Sequence, residues 1–85
     1  MIYLVEDDSS IRDLVVYSFN SAGLEAAGFE KPSDFWNAIK NTIPSLILLD
    51  IMLPEEDGLS VLSRLRSNPV YEDIPIIMLT AKGTE

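Results

Sequence analysis

Four short apolar runs divide the chain, and the stretches between them carry helical spacing. Ile2-Tyr3-Leu4-Val5 is too short for a helix and rich in β-formers, so it predicts a strand. A serine cap at Ser9 or Ser10 then opens a helix whose stripe is Ile11, Leu14, Val15, Ser18 and Phe19, with Arg12 and Asp13 on the other side. Gly23 suits a left-handed C-terminal cap. Leu24 to Glu30 reads as a second, weaker strand. Pro32-Ser33 opens a second helix, with Ser33 as its cap and Phe35, Ala38 and Ile39 as its stripe. Leu46 to Leu49 is apolar on both faces, the mark of a buried central strand in a parallel sheet. Gly58 to Ser67 predicts a third helix burying Leu59, Val61, Leu62 and Leu65, with Arg64 and Arg66 facing water. Pro75 introduces a last strand, Ile76 to Thr80.

The alternation β-α-β-α-β-α-β predicts an α/β fold, a doubly wound parallel sheet with helices on both faces. In such folds ligands bind at the carboxyl ends of the strands. The first strand delivers Glu6, Asp7 and Asp8 to that edge, the third Asp50 and the fourth Thr80. Asp50 leaves the greasy run of LILLDIMLPEEDG because a charge is costly inside and useful there. Carboxylates that meet in one cleft repel unless a cation lies between them. Oxygen ligands without histidine or cysteine favour Mg²⁺. A carboxylate beside Mg²⁺ is a competent nucleophile toward a phosphoryl group, and Thr80 could donate to one of its oxygens.

Composition narrows the field. The chain has 85 residues, enough for one small domain spanning 1–85, and a hydrophobic fraction of 47% that supports a core. It has no cysteine and no histidine, which excludes disulfides, thiolate or imidazole metal sites and phosphohistidine within the chain. A net charge of −8 argues against direct nucleic-acid binding. No signal peptide or membrane-spanning stretch is recognisable, so a cytoplasmic domain is expected.

Each acid also has a plainer use. Asp8 reads more readily as a helix cap than as a ligand, and Glu55-Glu56-Asp57 as a solvated turn near a helix N-terminus. Met52 and Trp36 read as packing, the latter partly exposed. Taken together, YLVEDDSSIRDLV, LILLDIMLPEEDGL and IPIIMLTAKG resemble the receiver domain of bacterial two-component response regulators, closest to those preceding winged-helix DNA-binding domains. The resemblance implies a flavodoxin-like sheet of order 2-1-3-4 for this chain. It implies Asp50 as phospho-acceptor and Asp7 as the main Mg²⁺ carboxylate, with Glu6 acting mostly through water. It further implies the Met52 backbone carbonyl as a metal ligand and Thr80 as the switch hydroxyl. Small Ala81 would leave the phosphate accessible, and Pro54 and Gly58 would shape the loop after Asp50. A sensor histidine kinase as donor, and an output DNA-binding domain in the parent protein, are the implied partners.

The family pattern continues with a fifth strand, two further helices and a phosphate-binding lysine that this chain lacks; Lys82 is not that residue. A partial receiver domain is therefore expected, with strand four as an apolar edge and a homodimer or swapped oligomer as one way to cover it. The main alternative is a pseudo-receiver, an interaction module that is never phosphorylated. A haloacid-dehalogenase-type phosphatase would need an acid where Met52 stands. A nucleotide or flavin binder would not place Glu6-Asp7-Asp8 in its phosphate loop. The chain is thus expected to be a phosphoacceptor rather than a turnover enzyme.

Overall fold

The structure, a computed structural model, describes residues 1–79. The elements follow in the order β1 (Ile2–Val5), α1 (Ser9–Ser21), β2 (Ala26–Phe29), α2 (Pro32–Ile39), β3 (Leu46–Asp50), α3 (Gly58–Arg66) and β4 (Ile76–Leu79). The strands form a parallel sheet of order β2-β1-β3-β4. Among the described residues, no helix is long and apolar enough to cross a membrane.

Side chains alternate across the sheet, and paired residues share a face. Tyr3, Val5, Ile47 and Leu49 point to one face, where Phe35 and Ile39 of α2 and Val61 and Leu65 of α3 complete a buried core. Edge-to-face contacts tie Tyr3, Phe29, Phe35 and Trp36 together across that layer. Ile2, Leu4 and Leu48 point to the opposite face. Gly28 pairs with Leu4, and a Cβ on Gly28 would meet Arg12 and Val16, so α1 covers that second face.

The helix boundaries depart from expectation at their caps. The cap of α1 is Asp8, in keeping with its reading as a cap and in place of Ser9 or Ser10: its Oδ1 accepts from the Ile11 backbone N–H at 3.1 Å. Gly23, at φ 86°, ends the helix as expected. The Leu24 N–H reaches the Phe19 carbonyl and the Gly23 N–H the Asn20 carbonyl, the paired bonds of a Schellman motif. Lys31, not Ser33, stands at the start of α2 and gives it no side-chain cap. The buried side of α1 is also rotated. Arg12 and Val16 meet the sheet, whereas Leu14 is exposed at 65%. Leu59 is likewise exposed, while Val61 and Leu65 are fully buried. Ile77 is half exposed on the outer strand β4. The second strand is shorter than expected, and α3 ends one residue earlier.

Candidate functional site

Two loops at the carboxyl edge of the sheet carry the acids. The first leaves β1 and enters α1 within three residues, Glu6, Asp7 and Asp8. It is tied by bonds to neighbouring residues and by one to β2. The Glu6 N–H donates to the Phe29 carbonyl, the Glu6 carboxylate accepts from the Asp8 N–H at 3.0 Å, and Arg12 Nη1 donates to the Glu6 carbonyl at 2.8 Å. Glu6 is buried despite its charge, and Asp7 projects into solvent. A buried carboxylate needs hydrogen-bond donors, and the turned-back amide of Asp8 supplies one.

The second loop leaves β3 at Asp50 and enters α3 at Gly58. Asp50 is 1% exposed, and its Oδ1 faces the Met52 N–H at 3.4 Å. The Gly58 N–H donates to the Ile51 carbonyl at 2.8 Å. That closure brings the start of α3 against the Asp50 backbone, and a Cβ on Gly58 would lie 2.1 Å from the Asp50 carbonyl oxygen. Only glycine permits this approach. Asp57 caps α3 by accepting from the Ser60 N–H at 2.8 Å.

The two loops meet. Glu6, Asp7 and Asp50 each offer a carboxylate oxygen, and these atoms lie within 4.8 Å of one another. A cleft of about 480 Å³, lined by Asp7, Ile51, Met52, Leu53, Pro54 and Asp57, opens beside them. Three hard oxygen donors at this spacing suit Mg²⁺, which takes a few carboxylates and completes its shell with water. Of the residues singled out in the sequence, Glu6, Asp7 and Asp50 converge, and Met52 lines the cleft. Thr80, Ala81 and Lys82 lie outside the described residues.

Some functional positions were not legible beforehand. Glu56 is a buttress rather than a solvated charge: its carboxylate accepts from Trp36 Nε1 at 3.3 Å, Ser60 Oγ at 2.7 Å and Arg64 Nη1 at 2.7 Å. Burial opposes its ionisation, but these three bonds and the charge of Arg64 outweigh that and hold the carboxyl below its ordinary value. Arg64 also stacks over the Trp36 ring at 4.3 Å. Glu55, at φ 68°, accepts from the Ser33 N–H and hydroxyl at 3.1 and 3.2 Å. It thereby serves as the remote cap that α2 lacks. The spacing Glu56, Ser60, Arg64 is four by four, one stripe of a helix, and was the available signal for the first cluster.

Residues 2–85 match the family described as Response regulator receiver domain. The phosphate regulon transcriptional regulatory protein PhoB of Pseudomonas aeruginosa is 40% identical over 99% of this chain and 37% of its own length. The DNA-binding dual master transcriptional regulator RpaA of Synechocystis is 41% identical over 96% of this chain and 34% of its own length. The chain thus spans about a third of such curated relatives. Among solved structures, the N-terminal domain of a response regulator receiver protein from Methanoculleus marisnigri superposes with a TM-score of 0.88 at 34% identity. That match covers 99% of this chain and 68% of the solved one.

Proposed function

The chain belongs to the response regulator receiver family, and on that premise we propose that Asp50 accepts a phosphoryl group from the phosphohistidine of a sensor kinase. What supports this reading is one arrangement: the carboxylate of Asp50, 1% exposed at the end of a central strand, gathered with those of Glu6 and Asp7. Asp7 and Asp50 would hold Mg²⁺, with Glu6 acting through water and the Met52 backbone carbonyl as a further ligand. Bound Mg²⁺ neutralises charge on the oxygens of the phosphoryl group.

The chain's own residues do the rest. Asp50 is held beside Asp7, which lines the cleft, so the attacking carboxylate oxygen is positioned next to the space where the donor's phosphorus arrives. That oxygen forms the new O–P bond as the donor's P–N bond breaks, and the electron pair leaves with the imidazole. Asp7 faces solvent and marks the side from which the donor approaches. The Thr80 hydroxyl, assigned by its motif, then turns toward the phosphoryl oxygens. The outer surface beyond β4 follows, so modification biases one of two surface states. With Met52 two residues after Asp50, the chain carries no general acid there for turnover phosphatase chemistry. In the longer parent protein the switched surface would act on a DNA-binding output domain, as the names of the relatives suggest.

The direct test is intact-mass measurement after incubation with Mg²⁺ and a small-molecule phosphodonor. A phosphoryl increment on the parent chain and none on Asp50→Asn is the expected result. A folded chain that takes up no phosphoryl group would overturn the reading in favour of a pure interaction module.

A further inference from the structure

The loop between β3 and α3 is long, and two of its acids, Glu55 and Glu56, bond to residues of α2 and α3 rather than to the acid pocket it borders. Glu56 instead turns away from the cleft and is only 17% exposed. Donors from two helices converge on its carboxylate: Trp36 of α2, and Ser60 and Arg64 of α3. Its own N–H donates to the Pro54 carbonyl at 2.6 Å, and Pro54 lines the cleft beside Asp7 and Met52. Two residues on, the Gly58 N–H closes onto the Ile51 carbonyl, adjacent to Asp50. The anchored carboxylate therefore sits between two main-chain bonds that both end on residues of the pocket wall.

We infer that Glu56 is a positioning residue for the acid pocket: it pins residues 51–57 to α2 and α3, and so sets both the affinity of the pocket for a divalent cation and the signal that Trp36 receives from it. This rests on the reading of Glu6, Asp7 and Asp50 as a Mg²⁺ site. The physical reason is geometric. A cation site loses affinity when any donor must be ordered at the moment of binding. The first loop is ordered by one bond within itself and by bonds to the adjoining α1 and to Phe29 of β2. The second holds Met52, exposed at 65%, and within residues 51–54 Leu53 is the side chain packed against the core. Much of the second loop's order comes from partners outside it, Glu56 on Trp36, Ser60 and Arg64 and Glu55 on Ser33. The same linkage runs in reverse, because cation binding that tightens residues 51–54 must alter the environment of the indole bonded to Glu56.

The test is Mg²⁺ titration of the chain by calorimetry, with Trp36 emission recorded on the same samples; Trp36 is the single tryptophan. The parent should bind Mg²⁺ with an emission change at the same midpoint, and Asp7→Asn should lose both. Glu56→Ala should raise the Mg²⁺ Kd roughly tenfold, the scale of losing a supporting contact behind a metal ligand. Glu56→Gln, which keeps an acceptor oxygen, should restore most of it. Trp36→Phe removes one donor and keeps a ring in place, so it should weaken binding by a smaller factor. Far-UV circular dichroism identifies the folded variants, and Trp36→Phe decides the matter if Glu56→Ala does not fold. A folded Glu56→Ala or Trp36→Phe chain with parental affinity refutes the inference alone. A parent chain that binds no Mg²⁺ refutes the reading of the pocket, and the inference with it.

Discussion

The two loops that build the acid pocket solve one problem differently. The β1–α1 loop is three residues long and, apart from one main-chain bond from Glu6 to Phe29 of β2, is held by neighbours in sequence: Asp8 to Glu6, Arg12 to Glu6, and Ile11 to Asp8. The β3–α3 loop is longer and is held by distant partners, Ser33 and Trp36 of α2, some 20 residues away in the chain. A short loop has few conformations to lose, so local bonds suffice to order it. A longer one needs anchors on rigid elements. The consequence is that damage to the first loop should stay local, whereas damage to the second should spread to α2 and α3.

The harshest break of that contrast is at the joint of the second loop. Gly58→Ala puts a Cβ 2.1 Å from the Asp50 carbonyl oxygen and 2.9 Å from its carbon. Neither atom is the end of a flexible side chain, so the backbone must move. A loss of about 3 kcal/mol in urea unfolding is expected, at the upper end of overpacking costs, together with loss of phosphorylation at Asp50. Gly23→Ala is the matched control. It meets open space and pays only for its φ of 86°, about 1 kcal/mol, with phosphorylation intact. Equal losses in the two variants would show that close approach at Asp50 is not what Gly58 provides.

A milder pair tests where the loops are alike. Each ends in an aspartate cap, Asp8 on α1 and Asp57 on α3, accepting from the N–H three residues ahead at 3.1 and 2.8 Å. Asp8→Ala and Asp57→Ala should each cost about 1 kcal/mol in urea midpoint measurements. The loops differ again at Glu55. Glu55→Gly removes the bonds to Ser33 but also relieves a positive φ, so its two effects, each about 1 kcal/mol, should nearly cancel. Glu55→Ala removes the bonds and keeps the strain, and should be the less stable by about 1 kcal/mol. Equal stability of the two would mean that the backbone at residue 55 is unstrained.

The same contrast explains what could be read from the sequence. Strand positions, the parallel alternation and the meeting of Glu6, Asp7 and Asp50 were legible because they follow from periodicity and topology. Those rules act through the chain itself. The caps were less so. Ser33 resembled a cap because caps are read locally, yet α2 is served by Glu55 from another loop. The stripe of α1 keeps Ile11, Val15 and Phe19 on the covered side, but Arg12 and Val16 take the places expected for Leu14 and Ser18. Leu14 invited burial by hydropathy, but Arg12 could lay its methylenes on Gly28 while its guanidinium held the Glu6 carbonyl. In both cases a contact between segments distant in sequence won over local preference. Glu56 is the sharpest instance, a charge in an acidic run whose partners lie on two helices.

The smallest effect expected is the pH response of that buttress, and its sign is fixed. The Glu56 carboxyl is depressed below its ordinary 4.5 by the bonds from Ser60, Arg64 and Trp36 and by the Arg64 charge, against the opposing effect of burial. The folded protein therefore holds this proton less tightly than the unfolded chain. The contribution is fully present above 4.5, and it is lost as pH falls through the lowered value. Comparing the parent with Glu56→Gln in urea unfolding, from pH 6 down to 3, cancels the other carboxylates. The stability gap between the two should be flat above 4.5 and should shrink below it. Arg64 is 58% exposed, so the gap should stay within about 1 kcal/mol and narrow in high salt. Trp36 emission should move over the same acid range in the parent and stay flat in the variant. An emission change that persists in Glu56→Gln would place the titrating group elsewhere and separate Trp36 from the loop. The indole would then report on α2 alone, and the long-range anchoring of the second loop would have to rest on Glu55.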